Sequence, residues 1–254
     1  PEAQGFHALL GTKGGVTVLN GGVDGYGTWQ ARRRYELLAD QVDVDGVILV
    51  LFAGNDLIDN EQWPMRKQMA QNMPQGQPLE RLQARGPGAW LNKRSYLYGR
   101  VQVWRAAKAL ESGMGPDRMM YEQELALFHE TGAHGLRELM RPTRDELRGL
   151  RDQARQRGDT LLVAVAPPAF AVNPDKLTAT FGLVGLDPAQ AAVEAPEAAI
   201  LDALQAEGIT SCNLGPALRG AHAAGEQTYL DYDGHWTEQG HQVVAQELAS
   251  CLGW

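Results

Sequence analysis

The chain has 254 residues with 44% hydrophobic and 21% charged side chains, an ordinary balance for one large globular domain with a substantial core. Its longest apolar run, Val47 to Ala53, falls far short of the roughly 20 residues that cross a bilayer, so no transmembrane segment is expected. The net charge of −8 argues against nucleic acid as a partner, and the compact basic run Arg32-Arg-Arg34 reads as the wet face of a helix.

The opening Pro1 to Leu10 reads as helical. Val16-Thr-Val-Leu19 is a short β-branched strand ended by Asn20-Gly-Gly22. From Tyr26 to Asp40, the spacing of Trp29, Tyr35, Leu37 and Leu38 predicts a helix with one apolar face. Asp45 to Phe52 is a continuous apolar strand, which suggests burial on both faces of a parallel sheet. Residues 57–117 carry Pro64, Pro74, Pro78, Pro87 and Pro116 and read as an irregular excursion with some helix, either a surface insertion or a cap over the site. A long helical region follows over Arg118 to Gln156. Leu161 to Ala166 is a second buried strand, stopped by Pro167-Pro168. Ala191 to Glu207 predicts a helix, Ile209 to Leu214 a weaker strand, and Glu238 to Leu252 a last helix with Thr237 as N-cap.

Strands alternating with helices predict a three-layer α/β/α sandwich with a mostly parallel central sheet. No Ser/Gly-rich or highly charged linker divides the chain, so residues 1–254 read as one domain. Ligands of such sheets sit at the carboxyl ends of the strands. The loops after Leu19 and Phe52, and the segment before the last helix, fall there. Cys212 and Cys251 lie far apart without metal-ligand spacing, and a disulfide between them is neither required nor excluded. The chain opens Pro1-Glu-Ala-Gln4 with neither a signal-peptide pattern nor Met, which leaves the compartment open.

Three segments carry the chemistry: Val18-Leu-Asn-Gly-Gly-Val-Asp-Gly-Tyr-Gly-Thr28, Phe52-Ala-Gly-Asn-Asp56 and Asp233-Gly-His-Trp-Thr-Glu-Gln-Gly-His241. In this order they resemble the SGNH (GDSL-like) hydrolase family, whose fold is flavodoxin-like. The resemblance implies Gly25 and Asn55 as oxyanion donors, His235 as the base and Asp233 as its orienting carboxylate, with no metal or organic cofactor. The wording Asp-Gly-His-Trp-Thr is similar to alginate-type O-acetyltransferases and related bacterial SGNH proteins. More common members place the acid three residues before the His, where this chain has Tyr232; Asp231 is the reserve candidate. Ala53 stands where the family has glycine, which requires a turn with negative φ. Asp56 reads as holding the turn.

The family's Gly-Asp-Ser nucleophile motif does not occur. The four serines, Ser95, Ser112, Ser211 and Ser250, lie outside any such motif. The opening residues resemble the helix after that motif, so the expectation is a nucleophile and first strand preceding residue 1, supplied by the same chain or an N-terminal fragment. Gly22, Gly25 and Gly27 do not form the dinucleotide fingerprint. Asp231, Asp233 and His235 are all of metal-ligand type, but an EF-hand fails because its twelfth position is Gln242. Trp236 and His241 read as packing residues, and His7, His129, His134 and His222 belong to no motif. The expected function is serine ester hydrolysis on a small-molecule or carbohydrate ester. The alternatives are O-acetyl transfer to carbohydrate and, from another class, a serine-less module that binds a glycan.

Overall fold

Gly46-Val-Ile-Leu-Val-Leu-Phe52 and Thr160-Leu-Leu-Val-Ala-Val-Ala166 put apolar side chains on both sides of an extended backbone. In the computed structural model, which describes residues 4–23, 25–72, 117–132, 135–231 and 234–254, they form β1 (Gly46–Phe52) and β2 (Thr160–Ala166). With β3 (Thr210–Asn213) they make a parallel sheet of order β1-β2-β3. The β1–β2 register runs from Gly46 opposite Thr160 to Phe52 opposite Ala166.

The helices are α1 (Phe6–Gly14), α2 (Thr28–Ala39), α3 (Asp56–Asn72), α4 (Asp117–Ala126), α5 (Leu136–Arg157), α6 (Pro174–Val184), α7 (Ala195–Ala206), α8 (Gly215–Ala223) and α9 (Glu238–Leu252). The strand period of two sends alternate side chains into separate cores. Leu51, Val163 and Val165 pack with Leu57 of α3, Leu125 of α4, Leu147 of α5, Phe181 of α6 and Ile200 of α7. Leu162, Ala164, Ala166 and Cys212 pack with Leu10 of α1, Leu218 of α8, and Val244 and Leu248 of α9. Helices on both faces of a parallel sheet give the expected α/β/α sandwich. The helix α5 shows why it docks: Leu136, Met140, Thr143, Leu147, Leu150 and Ala154 are buried at three- and four-residue steps. Cys212 of β3 and Cys251 of α9 are joined by a disulfide, with Cα atoms 5.9 Å apart. Among the described residues no helix is long and apolar enough to cross a membrane.

The structure corrects two expectations. Val16 to Leu19 is not a strand: the segment has no ladder partner among the described residues, and Val16 and Leu19 are exposed. Four residues without a neighbour gain none of the pairing that stabilises a strand. The region Arg118 to Gln156 is not continuous helix, because α4 and α5 are separated by Leu127–Gly135. There Ala192 N donates to Phe128 O at 2.6 Å and Glu130 N to Gln190 O at 3.0 Å, so the backbone turns to bond another loop. Gly132 permits the turn; a Cβ on it would lie 1.8 Å from Ala126 O. The excursion, expected to hold some helix, begins as the regular helix α3, which continues through Pro64. Pro64 removes one i→i−4 bond. Asp59 in the first turn offsets part of this through the helix dipole, and buried Leu57, Ile58 and Asn60 anchor the helix. Residues 73–116, most of the expected insertion or cap, lie outside the described residues.

Candidate active site

The segment before α2 carries Gly25 with φ +75°, in the left-handed region. A Cβ there would meet nothing within 4 Å, so conformation rather than crowding asks for glycine. Three residues on, this segment is bolted to α3. Asn60, 4% exposed, accepts from Thr28 N at 3.1 Å and donates to Thr28 Oγ1 at 2.9 Å and Thr143 Oγ1 at 2.8 Å. One buried amide thereby ties the start of α2 to α3 and α5, and these bonds offset its burial.

The second segment turns from β1 into α3. Ala53 N donates to Ala166 O at 2.8 Å, carrying the sheet one residue past β1. No residue other than glycine has positive φ among the described residues, so Ala53 meets the requirement the sequence set. Phe52 N donates to Asp56 Oδ2 at 2.8 Å and closes the turn. The side-chain amide of Asn55 donates to Asp59 Oδ2 at 2.7 Å. Gly54 leaves room for its surroundings: a Cβ would lie 2.3 Å from the Phe52 ring and 3.0 Å from Glu124 Oε1. Burial pushes the Asp56 carboxyl up to about 7, against the Phe52 N–H bond and with the charges of Asp59 and Glu124. Glu124 is likewise pushed up to about 7, by burial and then by the charge of Asp59.

The third segment, residues 228–237, folds back on itself. Tyr229 and Trp236 form an antiparallel bridge, Leu230 N donates to His235 O at 2.9 Å and Thr237 N to Thr228 O at 3.0 Å. Tyr229 Oη donates to Pro167 O at 2.6 Å, which fastens the fold beyond the end of β2, and also bonds the Trp236 side chain. Lys176 Nζ of α6 donates to Leu230 O. Thr237 caps α9 by accepting from Gly240 N at 3.0 Å. This mounting leaves Asp231 and His235 exposed at the tip. Asp233, the expected orienting acid, lies outside the described residues.

The start of α1 comes to the same region. Phe6 N donates to His241 Nδ1 at 3.4 Å, and the Phe6 ring stacks on His241 and meets Trp236 edge-on. Burial lowers the His241 pKa, with smaller contributions from His7 and His235. His7, which belongs to no sequence motif, thus shares its surroundings with the histidines of the third segment.

The structure joins the Gly25 and Asn55 segments directly through Asn60, and mounts His235 separately above the end of β2. A backbone N–H in the segment before α2 and an amide N–H just after β1 are donors of the kind that stabilise an oxyanion. Sequence reasoning missed Asn60, Asp59 and Glu124. The first two stand in the helical turn after Gly54-Asn55, where an N-terminal turn rich in Asp and Asn is itself a signal. Glu124 comes from a distant helix and leaves none. The metal-ligand grouping found among the described residues, Cys212, Glu247 and Cys251, has both sulfurs in the disulfide.

Residues 114–253 match the family model for the SGNH hydrolase-like domain of the acetyltransferase AlgX. That match covers β2, β3, the His235 segment and all of α9, and leaves Gly25 and Asn55 outside. No curated protein sequence matches the chain. With more than half its length matched and the expected sandwich in place, the chain belongs to the SGNH hydrolase-like domain family of the acetyltransferase AlgX.

Proposed function

We propose that the protein transfers an acyl group, acetyl in the first instance, from an ester through a serine, with His235 as general base and Asp233 as the carboxylate that orients it. The serine hydroxyl loses its proton to His235 as it attacks the ester carbonyl. The oxyanion accepts hydrogen bonds from Gly25 N–H and the Asn55 amide, and His235 returns the proton to the leaving alcohol. Water or a second hydroxyl then releases the acyl group. The observation that carries this reading is the Asn60 bridge, which holds the segments of the two donors together at the end of the sheet. The family's description as acetyltransferase favours a carbohydrate hydroxyl as the acceptor over water.

We assign the nucleophile to a serine outside the described residues. Among the described residues the serines are Ser211, within β3, and Ser250, in the last turn of α9. Neither stands beside the Gly25 and Asn55 segments. The outer edge of β1, by contrast, is unpaired among the described residues. Among the described residues, the exposed large hydrophobic residues other than Trp254 all fall within 16–42, between α1 and β1. A strand added parallel to β1 would end where Asn55 begins its turn, and Phe6 starts α1 near His235. Apolar strands with open edges call for such a cover.

The test is p-nitrophenyl acetate hydrolysis by the complete natural protein and by His235→Ala. The expected result is a loss of at least a hundredfold in kcat, in the range of general-base catalysis. Equal rates would remove His235 from the mechanism. A protein inactive on every ester, but retained on a glycan column, would point to the non-catalytic alternative.

A further inference from the structure

We infer that Asp59 is a positioning residue for acyl transfer, holding the Asn55 amide so that one of its two N–H bonds faces the reacting carbonyl. The inference rests on the reading of Asn55 as an oxyanion donor. Asn55 has an amide nitrogen with two hydrogens and a carbonyl oxygen of similar shape, and a rotation of 180° about its last bond exchanges them. Which end faces substrate decides the sign of the interaction: the N–H end attracts an oxyanion and the oxygen end repels it. Asp59 removes the ambiguity. Its Oδ2 lies 2.7 Å from Asn55 Nδ2, and an ionised carboxylate only accepts. The carbonyl end of Asn55 is excluded from that contact, so the nitrogen is fixed there with its second hydrogen directed elsewhere.

Asp59 stands where it can do this for geometric reasons. Asn55 and Asp59 are one helical turn apart, and Asp59 N donates to Asn55 O at 2.8 Å. The side chains of Asn55 and Asp59 therefore rise from the same face of the first turn of α3. Asp59 also borders the Gly25 segment, since its Cβ lies 3.6 Å from where a Cβ on Gly27 would stand. Glu124 and Asp56 crowd the same turn, and the burial that raises both carboxyls to about 7 reduces the negative charge beside the oxyanion. Asp59 touches neither substrate nor the reacting atoms in this scheme; it acts through Asn55.

The test is a double-mutant cycle in the complete natural protein with p-nitrophenyl acetate. Loss of an oxyanion donor lowers kcat by about 10²–10³. Asp59→Ala, which leaves the donor present but unheld, is expected to lower kcat about tenfold with KM unchanged, because the interaction exists only in the transition state. Asp59→Asn, whose amide can donate as well as accept, no longer excludes the oxygen end of Asn55 and should lower kcat in the same direction. In an Asn55→Ala background, Asp59→Ala should cause no further loss. A full tenfold loss in that background, or an unchanged kcat in Asp59→Ala alone, overturns the positioning role while leaving the oxyanion reading intact. An unchanged kcat in Asn55→Ala overturns the oxyanion reading and the positioning role with it. If Asp59→Ala does not fold, Asp59→Ser takes its place with the same expectations.

Discussion

At the scale of single residues, the candidate site depends on polar groups that are buried and answered. Asn60 is the clearest case, with three hydrogen bonds inside the protein. Asn60→Ala would leave the Thr28 N–H without that acceptor and open a small cavity. A loss of about 2–3 kcal/mol is expected in chemical denaturation, from unsatisfied buried groups rather than lost area. Glu124 makes the opposite kind of prediction. Its folded pKa is raised to about 7, above an ordinary value of 4.5. The folded state therefore holds the proton more tightly, and stability falls as pH rises from about 4.5 through 7. Glu124→Gln should make that fall shallower and leave the share of Asp56, whose carboxyl is raised to about 7 as well, so that the variant is more stable than the natural protein by up to about 3 kcal/mol at pH 8. A denaturation series from pH 4 to 8 measures it; parallel curves for the two proteins would refute the assignment.

At the scale of elements, the His235 segment is held by contacts that do not touch the imidazole. Tyr229 Oη reaches Pro167 O across 62 residues of chain. Tyr229→Phe keeps the ring in the core and removes the hydroxyl, so a loss of about 1–2 kcal/mol is expected, with faster hydrogen exchange at Leu230 N. This layer shows how much the sequence discloses. The strands β1 and β2 are legible because continuous apolar runs admit one environment, and α9 is legible because Thr237 and the terminal residues mark both ends. The parts hidden from sequence depend on distant partners. Val16–Leu19 has strand-forming side chains but no neighbour among the described residues. The α4–α5 break follows bonds to residues 190–192. The helices α6 and α8 are short, and α8 opens with Gly215-Pro216 and contains Gly220, so periodicity alone does not reveal it. Of the site, Gly25, Asn55 and His235 were readable as motif positions, whereas Asn60 and Glu124 gain meaning only from what lies beside them in space.

At the scale of the whole molecule, the Cys212–Cys251 bond fastens the edge strand β3 to the last helix. It spans 39 residues of sequence, for which chain entropy gives about 4 kcal/mol of stabilisation. Reduction should lower the thermal midpoint by roughly 8–16 °C for a domain of this size. An unchanged midpoint would mean that the packing of Val244, Leu248 and Leu218 holds α9 unaided. Such bonds persist in oxidising surroundings, so the fold is suited to a compartment outside the reducing cytosol.

The same bond changes what a protease could accomplish. The exposed tip at Asp231, Gly234 and His235 lies between the two cysteines, so a cut there severs the backbone without separating the pieces. A nicked molecule should migrate as one species until thiol is added, and then as two fragments. Hydrolytic damage to the segment that carries the base would thus be invisible to any measurement of mass made on the oxidised protein under low resolution, and apparent only from lost turnover.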